Sequence, residues 1–165
     1  MILRSVNFNT IAQWQQADRW DEAGRYLADA AKGLERAGAD CVMICAVTMH
    51  LVADAVAGAV EIPFIHIIDE TARCLVDASC RKPLLIATRY TMEQDFYRGR
   101  MLEKHGIETL TPDQDGSDEV HRIIYDELCL GQIHESSRAE YLAIIAELAQ
   151  AGAQAVILGC TEIAL

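Results

Sequence analysis

Short apolar runs alternate with amphipathic stretches along the whole chain. Runs with the length and character of buried strands lie at residues 2–8, 41–46, 62–67, 83–88 and 107–110, and immediately before Gly159. Stretches with apolar side chains at helical spacing lie between them, at residues 21–37, 51–60, 70–78, 91–105, 118–130 and 136–151. Strands that alternate with helices in this way predict an α/β fold with a mostly parallel sheet.

Polar residues and glycines mark the ends of several predicted helices. Gly38 and Gly106 follow the last apolar residue of a helix, where glycine commonly ends helices. Asp69 is placed to cap the helix that follows it, and Ser117 or Asp118 is placed to cap another. No glycine-rich loop follows a strand and opens a helix, so the sequence indicates no dinucleotide-binding or phosphate-binding loop.

The composition is that of an acidic globular protein. Hydrophobic residues make up 52% of the 165 residues, charged residues make up 24%, and the formal net charge is −11. A surface this acidic repels phosphate backbones and anionic lipid headgroups, so we expect no nucleic-acid partner and no membrane partner. No apolar run approaches the roughly 20 residues that span a bilayer.

Six cysteines lie mostly within apolar segments, at positions 41, 45, 74, 80, 129 and 160. The first residues lack the long apolar core of a secretion signal, so the sequence predicts a reduced, cytoplasmic setting with free thiols. Cys41, Cys45 and Cys74 are expected to be small core residues. The spacing of Cys41, Cys45 and His50 has some likeness to a zinc-ligand pattern, but no second ligand pair follows, so no metal site is predicted.

An internal repeat relates two helix–turn–strand segments. Residues 34–48 align without gaps on residues 148–162 with an offset of 114, and both segments contain an Ala-Gly-Ala turn before an apolar strand. One explanation is that such units resemble each other in composition. The other is a pseudo-twofold axis that brings two strand ends to one cleft, where they present groups to opposite faces of a substrate. The alignment sets Ala46 against Cys160, so one strand end carries a methyl group and the other a thiol.

Five motifs together resemble those of one known family. They are Ala37–Gly38–Ala39 before a strand, Thr48–Met49–His50, the run ATRYTMEQDFY at 87–97, the run ELCLG at 127–131, and the run GCTEI at 159–163. On these residues the chain resembles the aspartate/glutamate racemase family, most closely its broad-specificity amino-acid racemases. The resemblance extends through most of the sequence.

The resemblance implies an amino-acid racemase, an isomerase that needs no pyridoxal phosphate or other cofactor. Such enzymes consist of two similar α/β halves with the active site between them, which here implies halves at residues 1–86 and 87–165. A cysteine or threonine from the first half and a cysteine from the second act as the two acid/bases, and Cys160 matches the second of these. The implied substrate is a small amino acid or dicarboxylate. Residues that match substrate-binding positions are Thr48, Thr91, Thr161 and Glu162.

Departures from the family pattern bear on activity. Ala46 stands where the family has its first acid/base, and Val47 stands where it has a substrate-binding asparagine. Cys129 occupies a position that is lysine in many aspartate racemases, although often not in the broad-specificity branch. The family also has further chain before and after the matched region, so both halves are expected to be incomplete and the chain to be a truncated product or a fragment. We therefore expect weak or absent racemisation.

Two other functions stay open on the sequence alone. Arylmalonate decarboxylases, from the same wider superfamily, keep one cysteine and protonate one face, so a one-cysteine decarboxylase is the first alternative. The second is a non-catalytic domain that binds a small dicarboxylate or pairs with another subunit, for example as a homodimer. Trp14 and Trp20 suit a dimer surface or, as the simpler expectation, packing within their own domain. His50 is expected to line the site, to cap a helix or to face solvent, and His66 to be a hydrogen-bonded core residue.

Overall fold

The computed structural model describes residues 1–164 of the chain. They form two compact units, one of Met1–Ile67 and one that begins at Ile68. Helices and parallel strands alternate in both units, so the predicted α/β class is confirmed. The half-domains at 1–86 and 87–165, and the pseudo-twofold between them, stay predictions.

The first unit is built from three helices, two short strands and one 3-10 helix. Its elements are α1 (Phe8–Gln16), α2 (Trp20–Arg36), β1 (Val42–Met43), the 3-10 helix Thr48–Val52, α3 (Ala53–Ala57) and β2 (Phe64–Ile65). Helix α2 confirms the helix predicted at 21–37. Gly38 follows it with a φ of 89°, in the left-handed region that glycine adopts without strain.

The strand predicted at residues 2–8 is wrong. Residues 1–7 have no regular secondary structure, and Phe8 is already the first residue of α1. Asn7 caps that helix, because its side-chain oxygen accepts a hydrogen bond from the Thr10 N–H at 3.4 Å. The apolar residues before Asn7 pair with no strand in the described part of the chain, and a strand needs a neighbour to complete its ladder.

Strands β1 and β2 are parallel, as predicted, but each has two residues. The predicted runs at 41–46 and 62–67 are longer. The chain leaves the ladder because it enters the 3-10 helix at Thr48 after β1 and a further helix at Ile67 after β2. One side of the strand pair packs in a buried cluster with Ala31 of α2 and Val56 of α3.

Helices α1 and α2 pack together with the 3-10 helix. Their shared buried cluster consists of Ile11, Ala23, Met49 and Val52. Trp14 and Trp20 are partly buried against this cluster, and the Trp14 ring meets the Tyr26 ring edge to face, with 5.5 Å between centroids. Packing within their own unit therefore accounts for both tryptophans.

The second unit has a buried parallel strand at its centre. Its elements are α4 (Ile67–Asp77), β3 (Pro83–Ile86), α5 (Arg89–Glu93), α6 (Asp95–His105), α7 (Gln114–Asp126), the 3-10 helix Leu128–Leu130, α8 (Glu135–Gln150), β4 (Ala155–Leu158) and the 3-10 helix Thr161–Ala164. Strand β3 is buried along its whole length and pairs in parallel with β4 over all four residues. Within the region predicted as a strand at 107–110, Leu110 forms a single parallel bridge with Leu84 of β3.

One predicted helix in the second unit is divided in two, and the predicted start and end of another are wrong. The helix predicted at 91–105 is two helices, α5 and α6, because Gln94 between them has an extended backbone. Helix α7 begins before Ser117 and Asp118, since Asp113 caps it by accepting the Gly116 N–H at 3.0 Å. The helix predicted to reach Leu130 ends at Asp126, and a separate 3-10 helix follows. The predicted end at Gly106 is confirmed, with a φ of 63°.

Asp69 is not the cap of α4, which begins two residues earlier at Ile67. Ile67 is the last residue of the first unit, and within that unit His50 supplies a cap, because its Nε2 accepts the Ile67 N–H at 3.3 Å. The Asp69 carboxylate instead accepts hydrogen bonds from Arg100 Nε and Nη2 at 2.7 and 2.6 Å, and it lies 3.0 Å from His105 Nε2. Asp69 thus links α4 to α6 rather than capping its own helix.

Cys41, Cys45 and Cys74 are exposed, so the expectation that they are core residues is wrong. Cys41 and Cys45 flank β1, whose uncovered side also leaves Met43 with 52% of its surface exposed. An apolar strand is buried on both sides only where a layer covers each side. Cys74 lies on α4, which buries its other side through Ile68, Ala72 and Leu75.

Thr109 carries a buried hydroxyl with no hydrogen-bond partner among the described residues. We expect Thr109→Val to raise the free energy of unfolding by about 0.5–2 kcal/mol, because valine keeps the shape and removes the unsatisfied polar group. Urea unfolding measures the change. Thr111→Val, at a half-buried position nearby, is the control and should shift stability by less than about 0.5 kcal/mol. A destabilised Thr109→Val protein would show that the hydroxyl is satisfied.

Candidate functional site

Cys160 follows Gly159 just beyond the carboxyl end of β4, where ligands bind in open α/β sheets. Its half-buried thiol donates a hydrogen bond to Glu162 Oε2, with 2.9 Å between the sulfur and the oxygen. The Thr161 hydroxyl donates to the same oxygen at 2.8 Å. The short turn of 3-10 helix after β4 therefore brings three of the predicted site residues into one hydrogen-bonded group.

The Cys160 thiol is protonated at neutral pH. Burial raises the pKa of Cys160 to about 12, and the hydrogen bond and charge of Glu162 add to the shift. The hydrogen bond from Cys160 in turn lowers the pKa of Glu162. The resting pair is thus a neutral thiol beside a carboxylate. In this state Cys160 is a proton donor, and it becomes a base when a bound group stabilises the thiolate.

Three further titratable side chains interact electrostatically with this pair. Burial raises the pKa of Tyr125 and of Tyr141, and the Cys160 charge adds to both shifts. Desolvation and the charge of Glu162 raise the pKa of Cys129. The sequence drew attention to Cys129 but missed both tyrosines. The four-residue spacing of Tyr125 and Cys129 is a weak local signal that Tyr125 lies near the site. Tyr141 comes from α8, and no sequence spacing connects it with the site.

Gly159 lets the end of β4 approach β3 closely. Its N–H donates to the Ile86 carbonyl at 2.7 Å. A Cβ at this position would lie 2.8 Å from Ala87 Cβ and 3.0 Å from Leu85 Cδ1. Both distances are shorter than the separation at which carbon atoms pack. A side chain at 159 would therefore displace the strand end that carries Cys160.

We expect Gly159→Ala to lower the free energy of unfolding by about 1–3 kcal/mol, because the added methyl overpacks the β3–β4 contact. Gly33→Ala is the matched control: the nearest atom to its new methyl would be the Arg36 guanidinium at 4.0 Å. Placed inside helix α2, that alanine should stabilise the protein by about 0.5–1 kcal/mol. Chemical unfolding of both variants measures the contrast, and equal stability of the two would contradict the close approach.

Thr91 lies in α5, the helix that follows β3, and its side chain is fully buried. Its hydroxyl oxygen is 3.3 Å from that of Thr88, which is also buried. The structure thus places this predicted substrate-binding residue in the second unit, just after the strand next to β4. Its contact with substrate stays a prediction.

Ala46 and Thr48 lie in the first unit, after β1. Ala46 is exposed, and Thr48 is buried at the start of the 3-10 helix. His50 ties this segment down, since its Nδ1 lies 3.1 Å from the Ala46 carbonyl oxygen while its Nε2 accepts the Ile67 N–H. Because Nε2 accepts, Nδ1 carries the proton and donates to Ala46. Of the roles expected for His50, the structure therefore shows helix capping.

Neither a metal site nor a membrane span is found in the described residues. Between residues 1 and 164, no group of three or more histidine, cysteine, aspartate or glutamate side chains is placed to hold a metal ion. In the same part of the chain, no helix is both long and apolar enough to cross a bilayer. His66 follows β2 and is half-buried, so the prediction that it is a core residue within a strand is wrong. Its ring packs edge to face on His50, with 4.8 Å between centroids.

Comparisons of the sequence and of the structure with known proteins agree on one family. The sequence model described as Asp/Glu/hydantoin racemase matches residues 1–165. A Yersinia pestis protein provisionally assigned as an Asp/Glu racemase is 48% identical, and its crystal structure superposes with a TM-score of 0.90 over 99% of this chain and 71% of that one. An aspartate racemase homologue from Pyrococcus horikoshii is 38% identical, with a TM-score of 0.79 over 98% of this chain and 70% of that one.

The chain is also similar to a protein that is named by its activity. The broad specificity amino-acid racemase RacX of Bacillus subtilis is 26% identical over 93 residues, which are 56% of this chain and 40% of that protein. The match therefore spans less than half the length of this relative.

Proposed function

Because this chain belongs to the Asp/Glu/hydantoin racemase family, we propose that it carries a cofactor-independent site for proton transfer at the Cα of a small amino acid or dicarboxylate. The observation that carries the proposal is the thiol of Cys160 beside the Glu162 carboxylate, at the carboxyl end of β4. A group that gives and takes one proton at a fixed point is what exchange at Cα requires.

Cys160 is the acid/base of this site in our proposal. As thiolate it removes the α-proton, so that an S–H bond forms, the C–H bond breaks, and the electron pair passes into the substrate carboxylate as an enediolate. As thiol it returns a proton to Cα. If the thiol proton exchanges with deuterium from D2O between the two steps, deuterium enters at Cα without inversion. Inversion needs a second donor on the opposite face.

Glu162 acts on Cys160 more directly than on substrate. Its Oε2 already accepts hydrogen bonds from both Cys160 and Thr161. We therefore assign Glu162 to hold the thiol rather than to contact substrate. The exposed hydroxyl-bearing Thr161 is the better substrate contact of the pair. Thr48 and Thr91 complete the proposed substrate-binding set.

The proposed site works on one face of the substrate. Ala46, at the position that corresponds to the first acid/base, has a methyl side chain and no proton to transfer. Loss of one positioned acid/base costs about 10²–10⁴ in rate. Under this proposal, the chain exchanges the α-proton of one enantiomer faster than it racemises either enantiomer.

Deuterium exchange tests the proposal. The chain is incubated in D2O with each enantiomer of aspartate and of glutamate, and Cα deuterium and optical purity are followed separately. We expect deuterium to enter one enantiomer with retention, and Cys160→Ser to slow this exchange by about 10²–10⁴. Cys74→Ser, at an exposed thiol on α4, is the control and should leave the rate unchanged.

Two outcomes would overturn parts of the proposal. Racemisation of both enantiomers at the rate of exchange would show that a second acid/base compensates for Ala46. Dicarboxylate binding by the folded chain with no exchange at all would favour a non-catalytic binding domain.

One observation favours a second candidate function, the stereospecific decarboxylation of an arylmalonate. Burial and Glu162 hold Cys160 in its proton-donating form, and decarboxylation needs a donor but no base. The C–C bond breaks, CO2 leaves with the electron pair staying on Cα, and the Cys160 thiol protonates that carbon before regaining a proton from solvent. Release of CO2 with a single product enantiomer, lost in Cys160→Ala, would support this function over amino-acid exchange.

A further inference from the structure

His121 of α7 holds the start of a neighbouring helix. Its Nδ1 accepts the Arg89 N–H at 3.2 Å, and Arg89 is the first residue of α5. The imidazole packs between two aromatic rings, edge to face on Tyr90 at 5.5 Å and tilted against Tyr125 at 4.7 Å between centroids. The ring therefore has a fixed position between α5 and α7.

The contact gives the first N–H group of α5 a hydrogen-bond partner. The first N–H groups of a helix have no partner within the helix, and the residue before α5, Thr88, makes no capping hydrogen bond with its side chain. A helix of five residues does not persist alone, since its few internal hydrogen bonds do not offset the entropy of ordering it. In the first unit His50 makes the same kind of contact with Ile67, the first residue of α4.

The contact exists with neutral imidazole alone. A ring nitrogen accepts a hydrogen bond through its lone pair, which protonation occupies. Burial lowers the pKa of His121, and the charge of Arg89 lowers it further. Carboxylates on both sides act in the opposite direction: Glu93 from α5, and Asp118 and Asp126 from α7. Arg89 and Asp118 form an ion pair at 2.9 Å, so their opposing effects partly cancel.

We propose that His121 is a positioning residue of the candidate site, which holds the first turn of α5 when neutral and releases it when protonated. That turn carries Thr91, so the effect on substrate binding rests on the proposed function. The sign follows from the lowered pKa in the folded state. The stabilisation is present above the ordinary histidine pKa of about 6.5 and is lost as the pH falls through the lower, folded-state value.

Amide hydrogen exchange at Arg89 tests the proposal on the whole chain. NMR gives the protection factor of this amide from about pH 7.5 down to the acidic pH at which ring nitrogen shifts show His121 fully protonated in the same samples. We expect protection to fall by about fivefold to tenfold as His121 protonates, which corresponds to the loss of one ordinary hydrogen bond. His121→Ala should show the low protection at every pH.

His121→Asn separates positioning from mere packing. The asparagine oxygen lies near the place of Nδ1, accepts the same N–H and does not titrate in this range, so protection should stay high and independent of pH. His134→Asn, at an exposed histidine before α8 that makes no side-chain capping bond, should leave the wild-type profile unchanged. Arg89 protection that is constant while His121 titrates would overturn the proposal, as would the same acid loss in His121→Asn.

These measurements do not depend on turnover. If no Cα exchange is found, the proposed function fails while the Arg89 protection profile still decides the role of His121. If His121→Ala does not fold, the comparison of His121→Asn with wild type still decides it.

Discussion

Ala46→Cys is expected to raise the rate of racemisation by about 10²–10⁴, because under the proposed function a thiol at position 46 would be the second acid/base that inversion requires. The main chain at this position does not depend on the side chain, since His50 holds the Ala46 carbonyl at 3.1 Å. Ala46 is exposed, so the added sulfur meets no packed core. Chiral chromatography of aspartate and glutamate measures the gain, and Ala46→Cys combined with Val47→Asn should exceed it.

Two variants show whether the gain comes from a pair of acid/bases. Ala37→Cys adds a thiol at an exposed position after α2 in the same unit, and it should leave racemisation at the wild-type level. Ala46→Cys combined with Cys160→Ala should lose inversion again. A gain that survives removal of Cys160 would show that the two positions do not act on one substrate.

Cys160 is expected to react with iodoacetamide about 10²–10³ times more slowly at pH 8 than the exposed Cys41 and Cys74 of the same chain. The reason is the pKa of Cys160, raised to about 12, which leaves little thiolate at pH 8. The greater nucleophilicity of a more basic thiolate offsets part of the difference. Because the pKa is raised, the Cys160 rate should keep increasing with pH beyond pH 10. Peptide mass spectrometry after timed labelling gives each rate.

Glu162→Gln isolates the contribution of the carboxylate. The hydrogen bond and charge of Glu162 add to the raised pKa of Cys160, so the variant should label Cys160 roughly tenfold faster, while burial keeps the rate below that of the exposed thiols. Glu140→Gln, at an exposed position on α8, controls for the loss of one negative charge. Labelling of wild-type Cys160 as fast as Cys41 would refute the protonated resting state.

The elements that the sequence predicts well are those with local signals. Helix α2 has apolar side chains at helical spacing and a glycine after its end, and β3 has a continuous apolar run. Residues 2–7 have a strand-like composition, but their state depends on whether a neighbouring strand is present, which no local pattern contains. The break at Gln94 involves neither proline nor glycine, so spacing alone joins α5 to α6.

The residues of the candidate site likewise include some with a local sequence signal and some without one. Cys160, Thr161 and Glu162 are consecutive, so a sequence motif identifies them. Tyr141 and His121 come from other helices, so what each contacts follows from packing rather than from sequence spacing. His50 was identified by its motif, but its two backbone contacts become visible in the folded unit.

The uneven exposure of the thiols gives the second unit its own reporter of transient opening. Cys80, after α4, is 6% exposed, and its N–H donates to the Leu75 carbonyl at 2.8 Å. Cys74, six residues earlier, is exposed. The ratio of their modification rates in one sample measures how often this part of the unit opens, because the exposed thiol corrects for reagent and pH. Substrate that orders the unit would slow Cys80 alone, so a ligand screen needs neither an introduced probe nor a catalytic readout.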